Sequence, residues 1–525
     1  YTFLHTLSLH DALPIYKLCC VIFEEKTGFR FVDGTTTFLC PQMRPKTGFA
    51  RTAPSYETGY TLDAPMGDNA NGLGYTFPCL FKNQDKGWVL LCETGVSSAY
   101  CGSRLAGGNG SLYTIAFPLA DEFNGIGSVT PGINVPGETP WRTITVGETL
   151  EPIVETTVMW DVVEPLYEPS KEYVYGKSVW SWIIRMDASC NFDEQKEYID
   201  FAAEIGYEYI LIDALWDSNI GYEKMEELVK YADSKGVGVF LWYNSNGYWN
   251  DAPQGPRNKL HTSIARHKEM KWLKKVGVKG MKIDFIGSDK QQTMQLYEDI
   301  LCDANEYGLM VVFHGCTLPR GWERMYPNFA SSEAVLASEN LSFGQGACDN
   351  ESFNATIHPF IRNAVAGMEF GGSALNKRYS KGNDRGTYRR TSDVYALATA
   401  VLFQSPIQNF AIAPNNLTDA PAWAMDFMKE VPTTWDDLVF IDGYPGKYVI
   451  LARKSAGKWY ITGINAQKET LKIKTTLPML ESGSYVTQYS DDESLNGSVE
   501  RVKINRKQEV TWTIPYNGAQ LLVTE

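Results

Sequence analysis

Long apolar runs are missing from this sequence: no stretch of about 18 or more uninterrupted apolar residues occurs, which excludes an ordinary transmembrane helix. Positive charge is scarce as well. Lys and Arg number 48 against 62 Asp and Glu, a formal net charge of −14. Nucleic acid and anionic membrane surfaces both require a basic face, so neither is an expected partner. Cysteine occurs ten times without order, with Cys19 and Cys20 adjacent and no C-x-x-C pair. Neither a zinc site nor a disulfide framework follows, and the redox compartment stays open.

What is present describes an ordinary globular chain, 44% hydrophobic and 21% charged. At 525 residues it exceeds the size at which one core stops growing, so two or three domains are expected. Aromatic residues make up 13%, with 14 Trp and 29 Tyr. Sugars present flat C–H faces that stack on such rings, although a large core would use the same residues. Thr6–Ile15, TLSLHDALPI, looks like the translation of a sequencing-library adapter. Residues 1–15 are therefore expected to lie outside the fold, with the native N-terminus and any signal peptide missing.

From 16 to 170 the chain is rich in Gly, Thr and Pro with short apolar alternations, as in Gly87–Val96 and Ser111–Leu119, the texture of a β-sandwich domain. Ile153–Met159 continues the strand pattern, and Val163–Lys171 reads as a linker. The rhythm then changes. Apolar runs at Ser178–Met186, Tyr207–Trp216, Val237–Asn244, Gly280–Gly287 and Leu309–Gly315 alternate with amphipathic segments such as Phe192–Gly206 and Gln291–Gly308. Less regular candidates follow at Glu333–Glu339, Ile361–Phe370 and Asn409–Ala413, with a helix through Ser392–Gln404. Eight strand candidates in one run, with no glycine-rich phosphate loop after the first, favour a (β/α)8 TIM barrel over a doubly wound sheet across 171–440. Strand-and-turn texture returns over 441–525, predicting a C-terminal β-sandwich.

Barrel active sites lie at the C-terminal ends of the strands. The polar residues there are Asp213, Trp216, Trp242, Asn244, Lys282, Asp284 and His314, with Glu333 and Glu339 in the region of strand 6. Carboxylates and aromatic rings around one mouth, with no cofactor motif, fit a glycosidase, which needs one ionised and one protonated carboxyl group. Asp284 could instead cap the following helix, although Ser288 and Asp289 are better placed. A charge inside an apolar strand is costly unless it is paired or functional. Glu333 and Glu339 could be surface charges, His314 a core imidazole, and Trp242 and Trp322 packing.

Five segments resemble glycoside hydrolase family 97: Tyr198–Asp217, Gly277–Leu301, Leu309–Asn328, Ser331–Glu339 and Val431–Lys454. The most specific are FHGCTLPRGW and the E-x5-E pair that follows it. The resemblance implies an N-terminal β-super-sandwich, here truncated, a catalytic barrel, a C-terminal β-sandwich and an active-site calcium ion. Inverting α-glucosidases of the family carry a Glu base directly after the His; this chain has Gly315. Members with Gly there place an Asp nucleophile at the end of strand 4, which maps onto Asp284, with Glu339 as acid/base. A retaining exo-α-glycosidase is implied, α-galactosidase first, with α-glucosidase or β-L-arabinopyranosidase as alternatives. Asp213, Lys282 and His314 are expected at the oligosaccharide substrate, and Glu93, Glu333 and Glu339 at the metal. The resemblance further implies a periplasmic or secreted enzyme. Asn354–Asn376 departs from the family's usual text. Outside this class stand a sugar-binding protein that has lost catalysis, and a metal-dependent aldolase or isomerase using Lys282 and His314.

Overall fold

A computed structural model describes residues 18–525; the adapter-like residues 1–15 lie outside that range. Ahead of the barrel stands an antiparallel eight-stranded sheet running from Gly28–Arg30 to Trp141–Gly147, with a two-stranded ribbon of Leu18–Val21 and Gly132–Val135. The predicted strand Ile153–Met159 is two helical turns instead, Glu151–Val154 and Val158–Asp161. Pro152 sits in the first turn, where its fixed φ suits a helix and its missing N–H costs nothing.

The barrel is built on seven parallel strands: β1 (Gly176–Trp180), β2 (Tyr209–Ile212), β3 (Gly238–Asn244), β4 (Gly280–Asp284), β5 (Met310–Phe313), β6 (Phe329–Ser332) and β7 (Ile407–Phe410). Their order across the sheet is β6-β5-β4-β3-β2-β1-β7. Residues 366–372 fill the eighth place as extended chain. Glu369 N–H donates to the Ser332 carbonyl (3.0 Å), and Ala411 N–H donates to Gly372 (2.9 Å). Every residue of these strands is buried, which is why they read as continuous apolar runs rather than alternations.

Helix boundaries follow local chemistry. In α1 (Phe192–Ile205) the Asn191 side chain accepts from Glu194 N–H, and Gly206 closes the helix in the left-handed conformation. In α2 (Ser263–Val276) Thr262 and Gly277 do the same. Three predicted strands move, one of them Ile361–Phe370, which opens with the helical turn Arg362–Val365. The first ends at Trp180, and the helical turn Trp182–Arg185 replaces the rest of Ser178–Met186. The sixth is Phe329–Ser332, so Glu333–Glu339 forms the loop beyond it.

The C-terminal region pairs a six-stranded antiparallel sheet with a two-stranded one (Leu471–Thr476 and Glu509–Ile514). Ile450, Ile461, Leu471, Trp512 and Leu522 fill the space between them as the core of a sandwich. All ten cysteines are free. Among the described residues no helix is long and apolar enough to cross a membrane.

Candidate active site

Side chains from the ends of β1, β2, β4, β5 and β6 converge at the C-terminal mouth. Lys282 and Asp284 alternate along β4 and so share its inward face. The Lys282 ammonium lies 3.0 Å from Asp213 Oδ2 and 4.1 Å from the centre of the Trp180 ring, and Trp180 Nε1 donates to the same carboxylate oxygen (2.7 Å). Burial alone would lower the Lys282 pKa. The charges of Asp213, then Asp284 and Glu339, hold it above its usual value instead. Lys282 is thus a fixed cation and not the free amine that an aldolase needs.

Asp284 caps no helix. Its Oδ2 accepts from Trp242 Nε1 (3.1 Å), and its Oδ1 accepts from Phe285 N–H (2.8 Å). Trp242 therefore holds the carboxylate in place as well as packing, whereas Trp322 is packing, its indole N–H bonded to the Val96 carbonyl. The backbone turns sharply on both sides of the mouth. Phe285 has φ 69° and Ala334 φ 44°, a left-handed conformation that costs a residue bearing a Cβ about 1–2 kcal/mol.

His314 is buried but not satisfied by backbone. Its Nε2 lies 2.6 Å from Glu369 Oε2, so that nitrogen carries the proton. Its Nδ1 has no hydrogen-bond partner and lies 3.5 Å from Glu333 Oε2. Glu333 is buried too: Oε2 accepts from Gly315 N–H (3.0 Å), and Oε1 has no partner. One ligand atom each from His314, Glu333 and Glu339 falls within 4.8 Å of the other two.

A fourth group arrives from the region before the barrel. Burial, then the charges on Glu339 and Asp284, push the Glu57 pKa up to about 8, against a hydrogen bond from Ser55 and the charge of His314. Burial and the carboxylates of Glu57, Glu339 and Asp284 likewise drive Glu333 well above the usual range. Glu339 rises to about 7; burial is the main cause, Lys282 opposes it, and Asp284, Asp213 and Glu369 add to it.

Glu93 does not join them. Its Oε1 accepts from Arg320 Nε (2.5 Å) and Ser103 N–H (2.7 Å), and its Oε2 from Arg142 (2.7 Å) and the Ser103 hydroxyl (2.5 Å). With two guanidinium partners and no free lone pair, it is a structural ion pair rather than a metal ligand. The carboxylate from the N-terminal region that faces the mouth is Glu57. Glu57 lies in a Gly-, Ser- and Thr-rich loop with no strand pattern to mark it. Its neighbour Tyr56 sets its position: the Tyr56 hydroxyl donates to Asp289 (2.6 Å) and accepts from Arg320 (3.0 Å). The Thr52 carbonyl presses so close to Gly287 that a Cβ there would sit 1.9 Å from it.

Two further residues went unnoticed, although each is a charge inside the apolar run Ile361–Phe370. Arg362 ties the Ser332, Glu333 and Ala334 carbonyls to those of Ala366 and Gly367, fixing the loop that carries Glu333. Glu369 holds His314. The desolvation cost that singled out Asp284 would have found both.

Sequence profiles described as Glycosyl-hydrolase 97 N-terminal, Glycoside hydrolase 97, and Glycosyl-hydrolase 97 C-terminal, oligomerisation, match residues 5–165, 173–335 and 434–520. The crystal structure of a beta-arabinopyranosidase is 58% identical, superposes with a TM-score of 0.96, and the match covers 97% of this chain and 81% of that one. The chain belongs to glycoside hydrolase family 97. Among curated proteins of the family it resembles the "Probable retaining alpha-galactosidase" of Streptomyces bingchenggensis, 30% identical over 414 residues, which are 76% of this chain and 58% of that protein. It is also 28% identical over 352 residues to the retaining alpha-galactosidase of Bacteroides thetaiotaomicron, or 63% of this chain and 51% of that one. It therefore spans just over half the length of these two relatives. A family 97 enzyme from Pseudoalteromonas sp. strain K8, in complex with acarbose, shares the fold at a TM-score of 0.78 and 20% identity, over 96% of this chain and 81% of that one.

Proposed function

We propose that the protein is a retaining glycosidase for galacto-configured rings, hydrolysing terminal β-L-arabinopyranosides, with Asp284 as nucleophile and Glu339 as acid/base. The observation that carries the retaining assignment is the fit between Asp284 and Gly315. A Cβ on Gly315 would lie 2.6 Å from Asp284 Oδ1 and 2.8 Å from Phe285 N, at φ 47°. A carboxylate presented from strand 4 and a side chain at 315 therefore exclude each other, and this chain has the carboxylate.

Asp284, held by two N–H donors, attacks the anomeric carbon while protonated Glu339 gives its proton to the glycosidic oxygen, and the bond to the leaving group breaks. Glu339, now a carboxylate, takes a proton from water, which attacks the glycosyl–Asp284 ester and releases the sugar with its original anomeric configuration. A pKa near 7 suits a group that must give and regain a proton. Lys282 and Asp213, locked together beside Trp180, are placed to bind ring hydroxyls.

Glu57, Glu333 and Glu339 fit a calcium ion. All three offer hard oxygen donors, their charges repel one another, and Glu333 Oε1 has no partner. When bound, calcium would neutralise the cluster and polarise the oxygen ligands around it. Removing the ion with EGTA is expected to abolish turnover, and adding calcium to restore it.

β-L-arabinopyranose is the galactose ring without its exocyclic hydroxymethyl group. The 58% identity to a beta-arabinopyranosidase favours it as glycone. The names of the curated relatives support α-D-galactosides as the second reading. The test is hydrolysis of p-nitrophenyl β-L-arabinopyranoside, α-D-galactoside and α-D-glucoside side by side. Asp284→Ala is expected to cost about a thousandfold or more and to be rescued by azide, giving a glycosyl azide of inverted configuration. Turnover of the glucoside alone would overturn the galacto assignment. A folded protein that hydrolyses none of the three would return the sugar-binding reading.

A further inference from the structure

We propose that Trp182 and Phe343 form a leaving-group subsite that stacks on the pyranose ring released with the proton from Glu339. The inference rests on the assignment of Glu339 as the acid. Trp182 stands on the loop after β1, half-buried, stacked on Trp180 with ring centres 5.6 Å apart and planes 13° from parallel. Its indole N–H donates to Asp187 Oδ1 (2.7 Å), so the ring is fixed by its face and by its edge. Trp180 is itself bonded to Asp213, which ties this aromatic pair to the polar floor of the site.

Phe343 comes from a different loop, the one beyond β6. It ends the helical turn Asn340–Phe343, which starts directly after Glu339, and it meets Trp182 edge-on with ring centres 5.8 Å apart and planes at 75°. It is 59% exposed. Water in contact with so large an apolar ring is unfavourable, and nothing among the described residues covers it. The two rings come from different loops, and Trp182 is held rigid. Together they present an apolar corner suited to the C–H face of a sugar.

A second exposed aromatic pair decides between two sides of the mouth. Phe49, 56% exposed, lies 5.9 Å from Phe285, the residue after Asp284. In a retaining displacement the nucleophile attacks the face opposite the leaving group, and the acid stands beside the leaving oxygen. Phe285 follows Asp284 directly and Phe343 ends the turn that starts after Glu339, so by chain position the first pair accompanies the nucleophile and the second the acid. The departing sugar therefore belongs to the second pair. The subsite would favour oligosaccharides, whose leaving group is a pyranose ring, over glycosides with small leaving groups.

The test compares kcat/KM for a disaccharide with kcat/KM for the glycosyl fluoride of the same glycone, whose leaving group is too small to touch either ring. In Phe343→Ala the disaccharide-to-fluoride ratio is expected to fall about tenfold, the value of one good stacking contact. Trp182→Ala should lower it further and Trp182→Phe should restore most of it, while Phe49→Ala should leave it as in the wild type. Phe343 is exposed, so its variant keeps the fold even where Trp182→Ala does not. An unchanged ratio in Phe343→Ala, or a fall in Phe49→Ala instead, overturns the subsite while leaving the glycosidase assignment standing. A wild type that cleaves neither substrate overturns both.

Discussion

Two clusters of buried carboxylates lie in this molecule, and they are built on opposite terms. In the cluster around Arg320 and Arg142, three acids have guanidinium partners. Glu93 is held by Arg320 and Arg142, Asp289 by Arg320 (2.9 Å) and Glu25 by Arg142 (2.6 Å). At the barrel mouth Glu57, Glu333 and Glu339 crowd together with only His314 among them, and the one lysine nearby is already held by Asp213. The first cluster is complete as it stands and fastens the N-terminal region to the barrel. The second is complete only with protons or a cation. Compensation therefore separates the two clusters where burial does not, since Glu93 and Glu333 are equally hidden.

Three measurements sharpen that contrast. Arg320→Met leaves Asp289 without its cation and should lower stability by about 3–5 kcal/mol, read as a large drop in the thermal midpoint. A drop smaller than that caused by a surface Arg replacement would show that the ionic seam holds nothing. Saturating calcium should raise the stability of the wild type by about 2.7 kcal/mol at a hundred times its Kd, and Glu333→Gln should remove most of that shift. An equal shift in the variant would place the ion elsewhere. The smallest effect is also the most telling, because its sign is reversed. In chelator, Glu57→Gln should stabilise the protein by about 1 kcal/mol at pH 8, allowing for solvent screening of a half-buried carboxylate. The folded protein keeps the Glu57 proton up to about pH 8, against an ordinary value of 4.5. Wild-type stability should therefore fall as pH rises through that window, and the variant should flatten the slope. A variant less stable than wild type at pH 8 would mean that Glu57 is compensated after all.

The barrel was legible because its strands are buried on both faces and two of its helices, α1 and α2, carry Asn or Thr at one end and Gly at the other. These signals are local, and local physics fixes them. The sixth strand and the eighth place were not. Phe329–Ser332 is four residues long, and the apolar run Ile361–Phe370 opens as a helical turn, Arg362–Val365, before its end pairs as extended chain. The same division holds at the site. Lys282, Asp284 and His314 stand at the ends of readable strands. Glu57 is delivered by a loop whose course is set by Tyr56, Asp289 and Arg320, residues far apart in sequence, so no spacing could announce it. Glu93 sits in a clear strand, but Arg320 and Arg142 take its oxygens, and that too is set by residues far apart in sequence.

The close contact at Gly315 also bears on how such enzymes diverge. The family resemblance puts a Glu base at this position in inverting members, yet here its Cβ alone would lie 2.6 Å from Asp284 Oδ1. With Asp284 as the proposed nucleophile, replacing Gly315 first jams it and replacing Asp284 first removes it. Neither order passes through a working catalyst, so the two stereochemical outcomes are separated by a valley that single substitutions cannot cross. A lineage that changes sides must first be freed from selection on its activity, for instance by gene duplication.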